Sequence, residues 1–203
     1  MARELRSDAR RSAELVVAAA RTAIAEHGLA VSTNEIVKRA GVGPGTFYRR
    51  FPSRHALLEA VLLEVVGELL EQARSAAQDP DPWAGFAGLV SALAVAQSEN
   101  KGLADALAAE PEEGGDEVSS AFGSLRDHVR VITERAQEAG VVRADVTWRD
   151  VPFFAGAAAG MSPRCLGLDA GVSGRERVVA VVLAGLRAPG RGALPGESPR
   201  DQR

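Results

Sequence analysis

The stretch STNEIVKRAGVGPGTFYRRFPSR, residues 32–54, decides the fold of this chain. Ser32, followed three residues later by Glu35, is the pattern of a capping box, in which the serine side chain accepts from a backbone N–H at the start of a helix. Gly41 is suited to the left-handed residue that ends a helix, because glycine has no β-carbon. Pro44 fits the first position of a following helix, where its missing N–H is not needed. The stretch therefore predicts two short helices joined by a tight turn.

The second helix of this pair has one apolar face and one polar face. At helical spacing Phe47 and Phe51 point in the same direction, which predicts the buried face, and Pro52 ends the helix. The opposite arc carries Gly45, Thr46, Tyr48 and Arg49, with Arg50 on the flank. Hydroxyl and guanidinium groups on an exposed helix suit phosphate oxygens and base edges in the major groove of DNA.

The segment GVGPGTFYRRFPSRHALLEAV, residues 41–61, resembles the DNA-binding signature of the tetracycline-repressor-like (TetR) family of transcription regulators. The segment VVAAARTAIAEHG, residues 16–28, resembles the first helix of the same family, and the likeness covers roughly residues 10 to 72. In this family His is common at position 50 and Lys at position 54, whereas this chain has arginine at both. The resemblance implies that Thr46, Tyr48, Arg49 and Arg54 touch DNA, and the full predicted DNA-binding set is Ser32, Thr33, Pro44, Gly45, Thr46, Tyr48, Arg49, Arg50 and Arg54.

Charge is distributed unevenly along the chain. Residues 1–55 contain ten Arg and Lys against five Asp and Glu, a net charge of +5, whereas residues 56–203 carry a net charge of −8. A basic amino-terminal part on an acidic chain is typical of a nucleic-acid-binding module. The alternative, a small helical core that never meets DNA, does not account for this distribution.

Helical periodicity and breaker residues predict an all-α fold of about nine helices. We expect a flexible basic arm over residues 1–9, a helix-turn-helix DNA-binding domain over 10–55 with the motif at about 32–51, a helical effector-binding and dimerisation domain over 56–188, and a disordered tail over 189–203. The predicted helices outside the motif cover about residues 12–27, 53–77, 83–98, 101–109, 116–139, 148–161 and 174–187.

Two sets of apolar residues in the acidic part carry further expectations. Apolar residues at helical spacing lie on either side of two breaks in the helical pattern, one rich in proline and one acidic. We expect these residues to form a pocket for an apolar small-molecule effector, lined by Trp83, Phe86, Leu103, Phe122, His128, Phe153 and Met161. The helices over 148–161 and 174–187 are rich in small or uncharged residues, which predicts burial on more than one side. By the family resemblance they pair with their copies in a homodimer, through Phe154, Ala158, Val178, Val182 and Leu186.

Chemistry-bearing residues are sparse. His27, His55, His128 and Cys165 have no chelating spacing, so we expect neither a metal, nor a cofactor, nor an enzymatic activity. One cysteine fits a reducing cytoplasm, and no apolar run is long enough to span a membrane.

Three functional hypotheses remain open from the sequence. The first is a homodimeric repressor that binds a near-palindromic operator in double-stranded DNA and is released by a small molecule. The second is a DNA-binding regulator without a small-molecule effector, in which the apolar stripes are ordinary core. The third is an enzyme that has adopted the fold, for which His128 is the one candidate.

Overall fold

The computed structural model describes residues 2–100, 102–103, 116–160, 164–170, 173–189 and 192–200, with side chains from residue 11 onward except at 116, 164 and 165. These residues form eight α-helices and one two-stranded hairpin. The helices are α1 (Ala2–His27), α2 (Thr33–Ala40), α3 (Pro44–Arg50), α4 (Arg54–Gln78), α5 (Pro82–Glu99), α6 (Asp116–Glu138), α7 (Val151–Ala159) and α8 (Gly174–Leu186); the strands are β1 (Arg164–Cys165) and β2 (Leu168–Asp169). The chain is therefore predominantly α-helical, as the sequence predicts.

The first compact unit comprises Met1–Val66 and Glu99–Ala121. In it α1 packs against α2 and α3, and a 3₁₀ turn, Gly28–Ala30, connects α1 to α2. The core of this unit consists of side chains from every one of these helices and from the first half of α4, including Val16, Ala20, Ile24, Ile36, Phe47, Leu57 and Val61. Burial of this shared apolar surface holds three helices together, of which the two shortest are too short to be stable alone.

The start of α1 differs from the prediction. The helix begins at Ala2 and not near Ser12, so residues 2–9 of the expected arm lie within it. Residues 2–11 contain neither proline nor glycine and are rich in Ala, Arg, Glu and Leu, which are strong helix formers. A position at the chain terminus does not oppose a helix when the residue types favour one.

The second compact unit comprises Gly67–Ser98 and Phe122–Arg203. Its buried side chains include Phe86, Leu89 and Val90 of α5 together with Val129 and Ile132 of α6, while α7 packs against α8. The predicted break at 78–82 is present, since α4 ends at Gln78 and α5 begins at Pro82. The Asp81 carboxylate caps α5 by accepting from Trp83 N at 2.9 Å.

Two helix predictions in this half need comment. The helix expected from 148 begins at Val151, because the Asp150 carboxylate accepts from the Thr147 amide at 2.7 Å and from its hydroxyl at 2.8 Å, which closes a turn over 147–150. The helix expected over 101–109 lies outside the described residues apart from Gly102 and Leu103. Where the chain is described, no helix is both long and apolar enough to cross a membrane.

The carboxy-terminal tail, which was predicted to be disordered, makes hydrogen bonds to two carboxylates in its described part. Residues 192–200 form no regular secondary structure, but Leu194 N donates to the Asp145 carboxylate at 2.8 Å, and the Ser198 hydroxyl donates to the Asp150 carboxylate at 3.0 Å. The Gly, Pro and Arg content on which the prediction rests gives no sign of these two carboxylate acceptors.

Candidate nucleic-acid interface

The turn between α2 and α3 has the conformation that its residues favour. Ser32 Oγ accepts from Glu35 N at 3.2 Å and so caps α2, and Gly41 ends the helix in the left-handed region at φ 67°. Pro44 is the first residue of α3, and the Gly43 carbonyl accepts from the amides of the first turn. Local chemistry therefore fixes the angle between the two helices of the motif.

The two faces of α3 are separated as the sequence predicts. Phe47 and Phe51 are buried, with 1% and 4% of their surface exposed, whereas 54% of Tyr48 is exposed. The Tyr48 ring stands edge-on to Phe47, with centroids 5.1 Å apart. The tyrosine ring therefore packs on a buried phenylalanine, although the side chain is largely exposed. Arg49 and Arg50 follow in the last turn and are exposed.

Most of the predicted DNA-binding residues lie at the surface of the first unit. Thr33 and Thr46 are half-buried, and the exposed members are Ser32, Pro44, Gly45, Tyr48, Arg49 and Arg50. Arg54 is different: it is half-buried, and its guanidinium donates to the carbonyl oxygens of Val31, at 2.8 Å, and Leu29. The structure thus collects the outward side chains of α3 and directs Arg54 into the protein.

A crevice of about 160 Å³ lies between α1 and α3 on this side of the unit. Its lining combines apolar side chains with hydroxyl and guanidinium groups. The lining residues are Ser12, Ala13, Val16, Thr46, Phe47, Arg49, Arg50 and Phe51. The crevice places Ser12 of α1 next to the polar side chains of α3. Ser12 is not among the predicted DNA-binding residues, because its position beside α3 depends on the packing of two helices.

An ion pair holds α2 against α1. Arg39, in the last turn of α2, donates to the Glu26 carboxylate at 2.7 Å. His27 Nε2 lies 3.6 Å from Glu26 and 3.8 Å from the Glu35 carboxylate. Glu26 near the end of α1 therefore pairs with Arg39 of α2 and helps to orient that helix, although an exposed pair of this kind contributes only about 0.2–1 kcal/mol.

The predicted effector-pocket residues are not all brought together. In the second unit Trp83 and Phe86 have ring centroids 6.1 Å apart, and the Arg187 guanidinium lies 4.5 Å above the Trp83 ring. Phe122 and His128 of α6 are half-buried, and His128 Nδ1 lies 2.8 Å from the Ser124 carbonyl oxygen.

The other members of that set lie in different surroundings. Phe153 is 65% exposed, because the buried stripe of α7 is Val151, Ala155 and Ala158 and position 153 falls on the opposite side. Leu103 is fully buried but belongs to the first unit. Met161 lies outside the described residues.

The predicted dimer residues also divide into two groups. Phe154, Val178 and Val182 are half-buried, whereas Ala158 and Leu186 are buried inside their own chain, with 1% and 4% of their surface exposed. Leu186 is covered because its carbonyl accepts from Arg143 N at 3.1 Å, next to a bridge between Val142 and Arg187. A helix that is apolar nearly all round gives no periodicity from which its inner side can be read.

The outer side of α8 is apolar and open. Val181 is 73% exposed, and a groove of about 640 Å³ runs beside it. The groove is lined by Ala170, Gly174, Arg177, Val178, Ala180, Val181 and Val182. Among the described residues no group of three or more His, Cys, Asp or Glu is arranged to hold a metal ion.

Comparisons with known proteins agree with this geometry. The profile of bacterial regulatory proteins of the tetR family matches residues 16–61, and that of the SbtR-like transcriptional regulator C-terminal domain matches residues 81–188. A comparison with curated protein sequences found no match.

Solved structures resemble the chain over most of its length. A TetR transcription regulatory protein from Mycobacterium vanbaalenii is 30% identical, with 91% of this chain and 99% of that one covered and a TM-score of 0.65. A TetR transcriptional regulator from Streptomyces coelicolor is 28% identical, with 86% and 98% covered and the same TM-score. A TetR family regulator from Agrobacterium tumefaciens shares the fold at 19% identity, with 89% and 100% covered and a TM-score of 0.68.

Proposed function

Because this chain belongs to the TetR family of bacterial transcriptional regulators, which bind DNA through a helix-turn-helix, we propose that it is a repressor that binds its operator as a homodimer and is released by a small molecule. In this proposal it works in the cytoplasm, where it meets the chromosome. The operator is a near-palindrome, because a two-fold symmetric dimer presents two identical recognition helices to successive major grooves.

The observation that carries DNA binding is the outward face of α3. Tyr48, Arg49 and Arg50 are exposed beside one another, while Phe47 and Phe51 anchor the helix from below. A rigid helix with exposed guanidinium groups satisfies both needs of the interface: charge for the phosphates, and donors for guanine edges. Gly45 leaves room for a close approach of the DNA backbone.

The apolar outer side of α8 supports the dimer. Val181 and, on α7, Phe153 leave most of their side chains in water, although α7 and α8 are already packed together. Large exposed apolar side chains next to an apolar groove are typical of a surface that another protein covers. We propose that α7 and α8 pair with their copies in a second chain, with Phe153 and Val181 in the contact together with the predicted Phe154, Val178 and Val182.

The effector is the least supported part of the proposal. The aromatic pair Trp83 and Phe86 and the half-buried Phe122 and His128 belong to the second unit and offer an apolar effector aromatic surface. A difference of about 1–3 kcal/mol in effector affinity between the DNA-bound and free conformations is enough for a useful switch.

The proposal is tested by selection of genomic fragments with the purified protein, followed by footprinting of the best fragment. We expect a protected near-palindrome that is bound by two chains, with a steep salt dependence. Apolar compounds are then screened for thermal stabilisation of the protein and for release of that fragment. Weak binding that is independent of sequence contradicts the operator, and operator binding that no stabilising compound reverses favours a regulator without an effector.

A further inference from the structure

The guanidinium of Arg54 connects the first turn of α4 to the chain that precedes the helix-turn-helix motif. One terminal nitrogen donates to the Val31 carbonyl oxygen at 2.8 Å, and the other donates to the Leu29 carbonyl oxygen. The side chain is half-buried, and Arg54 is the first residue of α4. A single side chain thus joins segments that are 23 and 25 residues apart in the sequence.

The two acceptors are groups that need donors. Leu29 belongs to the short 3₁₀ turn between α1 and α2, and Val31 follows its end. Carbonyl groups at the end of a helical turn have no partner within the turn. Arginine provides two parallel N–H donors in a planar fork, which lysine cannot do. The Ser53 hydroxyl accepts from Ala56 N at 3.0 Å, so the first turn of α4, which carries the fork, is itself fixed.

The contact connects the two ends of the DNA-binding motif. The chain enters the motif immediately after Val31, at the Ser32 cap, and leaves it at Phe51, three residues before Arg54. We refer to the contact of Arg54 with Leu29 and Val31 as the Arg54 clasp. It joins the two ends of the motif, and α3 lies between those ends.

We propose that Arg54 is a positioning residue for DNA binding, which acts through the Arg54 clasp and not by neutralising a phosphate. The two carbonyl bonds direct the half-buried guanidinium towards the chain before the motif, and a phosphate contact that turned it outward would break them. The inference rests on DNA binding alone and needs neither the dimer nor the effector. It differs from what the family resemblance implies for position 54, where a lysine is common.

The test compares Arg54→Lys with Arg54→Gln, using a DNA duplex selected by the wild-type protein. Affinity is measured by fluorescence anisotropy over a range of salt concentrations, at a temperature where circular dichroism shows every variant to be folded. We expect both variants to lose affinity by about tenfold, because neither forms the fork, with an unchanged salt slope. A phosphate contact gives another pattern: Lys retains the affinity, and Gln lowers the slope by about one.

Two controls separate the alternatives. At exposed Arg50, Arg50→Lys and Arg50→Gln should follow the pattern of a phosphate contact. Val61→Ala, at a buried position of α4 that takes no part in the Arg54 clasp, measures what general destabilisation of the shared core does to binding. We expect Val61→Ala to lower the melting temperature with little loss of affinity for the folded protein. Equal losses in Val61→Ala and Arg54→Gln, at a matched melting temperature, would overturn the positioning role.

A measurement on the wild-type protein keeps the inference testable if the Arg54 variants do not fold. Nuclear magnetic resonance of the arginine side chains detects guanidinium protons that exchange slowly because they are hydrogen-bonded. We expect a protected Arg54 guanidinium in the free protein whose resonances change little when the duplex is added. An unprotected group that becomes protected only with DNA would overturn the inference. Failure of the wild-type protein to select any DNA would instead contradict the proposed function.

Discussion

Gly85 of α5 lies so close to the Ala76 carbonyl oxygen of α4 that a β-carbon at position 85 would overlap it. The neighbouring atom is backbone, at the end of a helix that turns directly into α5, so it has little freedom to move. The close approach of these two helices in the second unit therefore depends on the absence of a side chain at this position.

Gly85→Ala is expected to destabilise the protein. Overpacking against a fixed backbone atom costs about 1–3 kcal/mol, and the melting temperature should fall accordingly. Gly88→Ala is the matched control, because Gly88 is in the same helix with open space around it, and alanine there should stabilise by about 0.5–1 kcal/mol. Two melting curves that shift in the same direction would contradict the close contact.

Arg135 of α6 is expected to stabilise the end of α4. Its guanidinium donates to the Ala77 carbonyl oxygen at 2.9 Å and to that of Asp79, so it caps the last turn. Arg135→Met should cost about 1–3 kcal/mol of unfolding free energy, since two carbonyl groups lose a charged donor. Arg130→Met on the same helix removes an exposed pair with Asp127 and should change stability by less than about 0.5 kcal/mol. Equal losses in urea unfolding would refute the cap.

Val181→Glu is expected to separate the proposed dimer. The Val181 side chain is 73% exposed in the single chain, so a glutamate there should cost little folding free energy. The same charge should strongly oppose an apolar contact between α8 and its copy. Analytical ultracentrifugation should show a monomer with weakened operator binding. Val131→Glu on α6, where valine is 49% exposed, is the control and should remain dimeric. A dimeric Val181→Glu protein would exclude this face.

The sequence predicted those features that depend on neighbouring residues. The Ser32 cap, the turn at Gly41 and the start of α3 at Pro44 follow from local backbone chemistry, and each is present. The two faces of α3 could be assigned for the same reason, because Phe47 and Phe51 are one helical turn apart.

Contacts between distant segments could not be predicted in this way. Arg54 and Arg135 find carbonyl acceptors that are 23 to 58 residues away, and nothing in either local pattern distinguishes them from solvated arginines. The buried side of α7 could not be read from the sequence for a related reason. When every position is apolar, the neighbours decide which side is buried, and they left Phe153 outside.

Acid is expected to weaken the attachment of the tail. A hydrogen bond from Arg143, and next to it one from the Leu194 amide, hold the pKa of Asp145 well below its ordinary range. A carboxyl with a depressed pKa in the folded state contributes stability above its unfolded pKa of about 3.9 and loses it as the pH falls through the folded value. Asp145→Asn should therefore lower the melting temperature near neutral pH, and the difference from wild type should shrink below about pH 4. A constant difference across that range would contradict the charged pair.

Arg49→Ala is expected to weaken operator binding through the loss of a charge. Arg49 is exposed in the last turn of α3, beside Tyr48, and its substitution leaves the buried Phe47 untouched. If Arg49 neutralises one phosphate in each half-site, the slope of log affinity against log salt should fall by about one per chain. If it reads a guanine, affinity should fall by about 1–3 kcal/mol and one base position should lose its specificity.

Anisotropy titrations on the selected operator and on single-base variants distinguish these two roles of Arg49. Tyr48→Phe is a useful companion, because it retains the ring that packs on Phe47 and removes only the outward hydroxyl. Its effect should be a small loss of affinity with an unchanged salt slope. Wild-type affinity and salt slope in Arg49→Ala would remove Arg49 from the DNA contacts and leave Arg50 as the remaining exposed guanidinium of α3 to test.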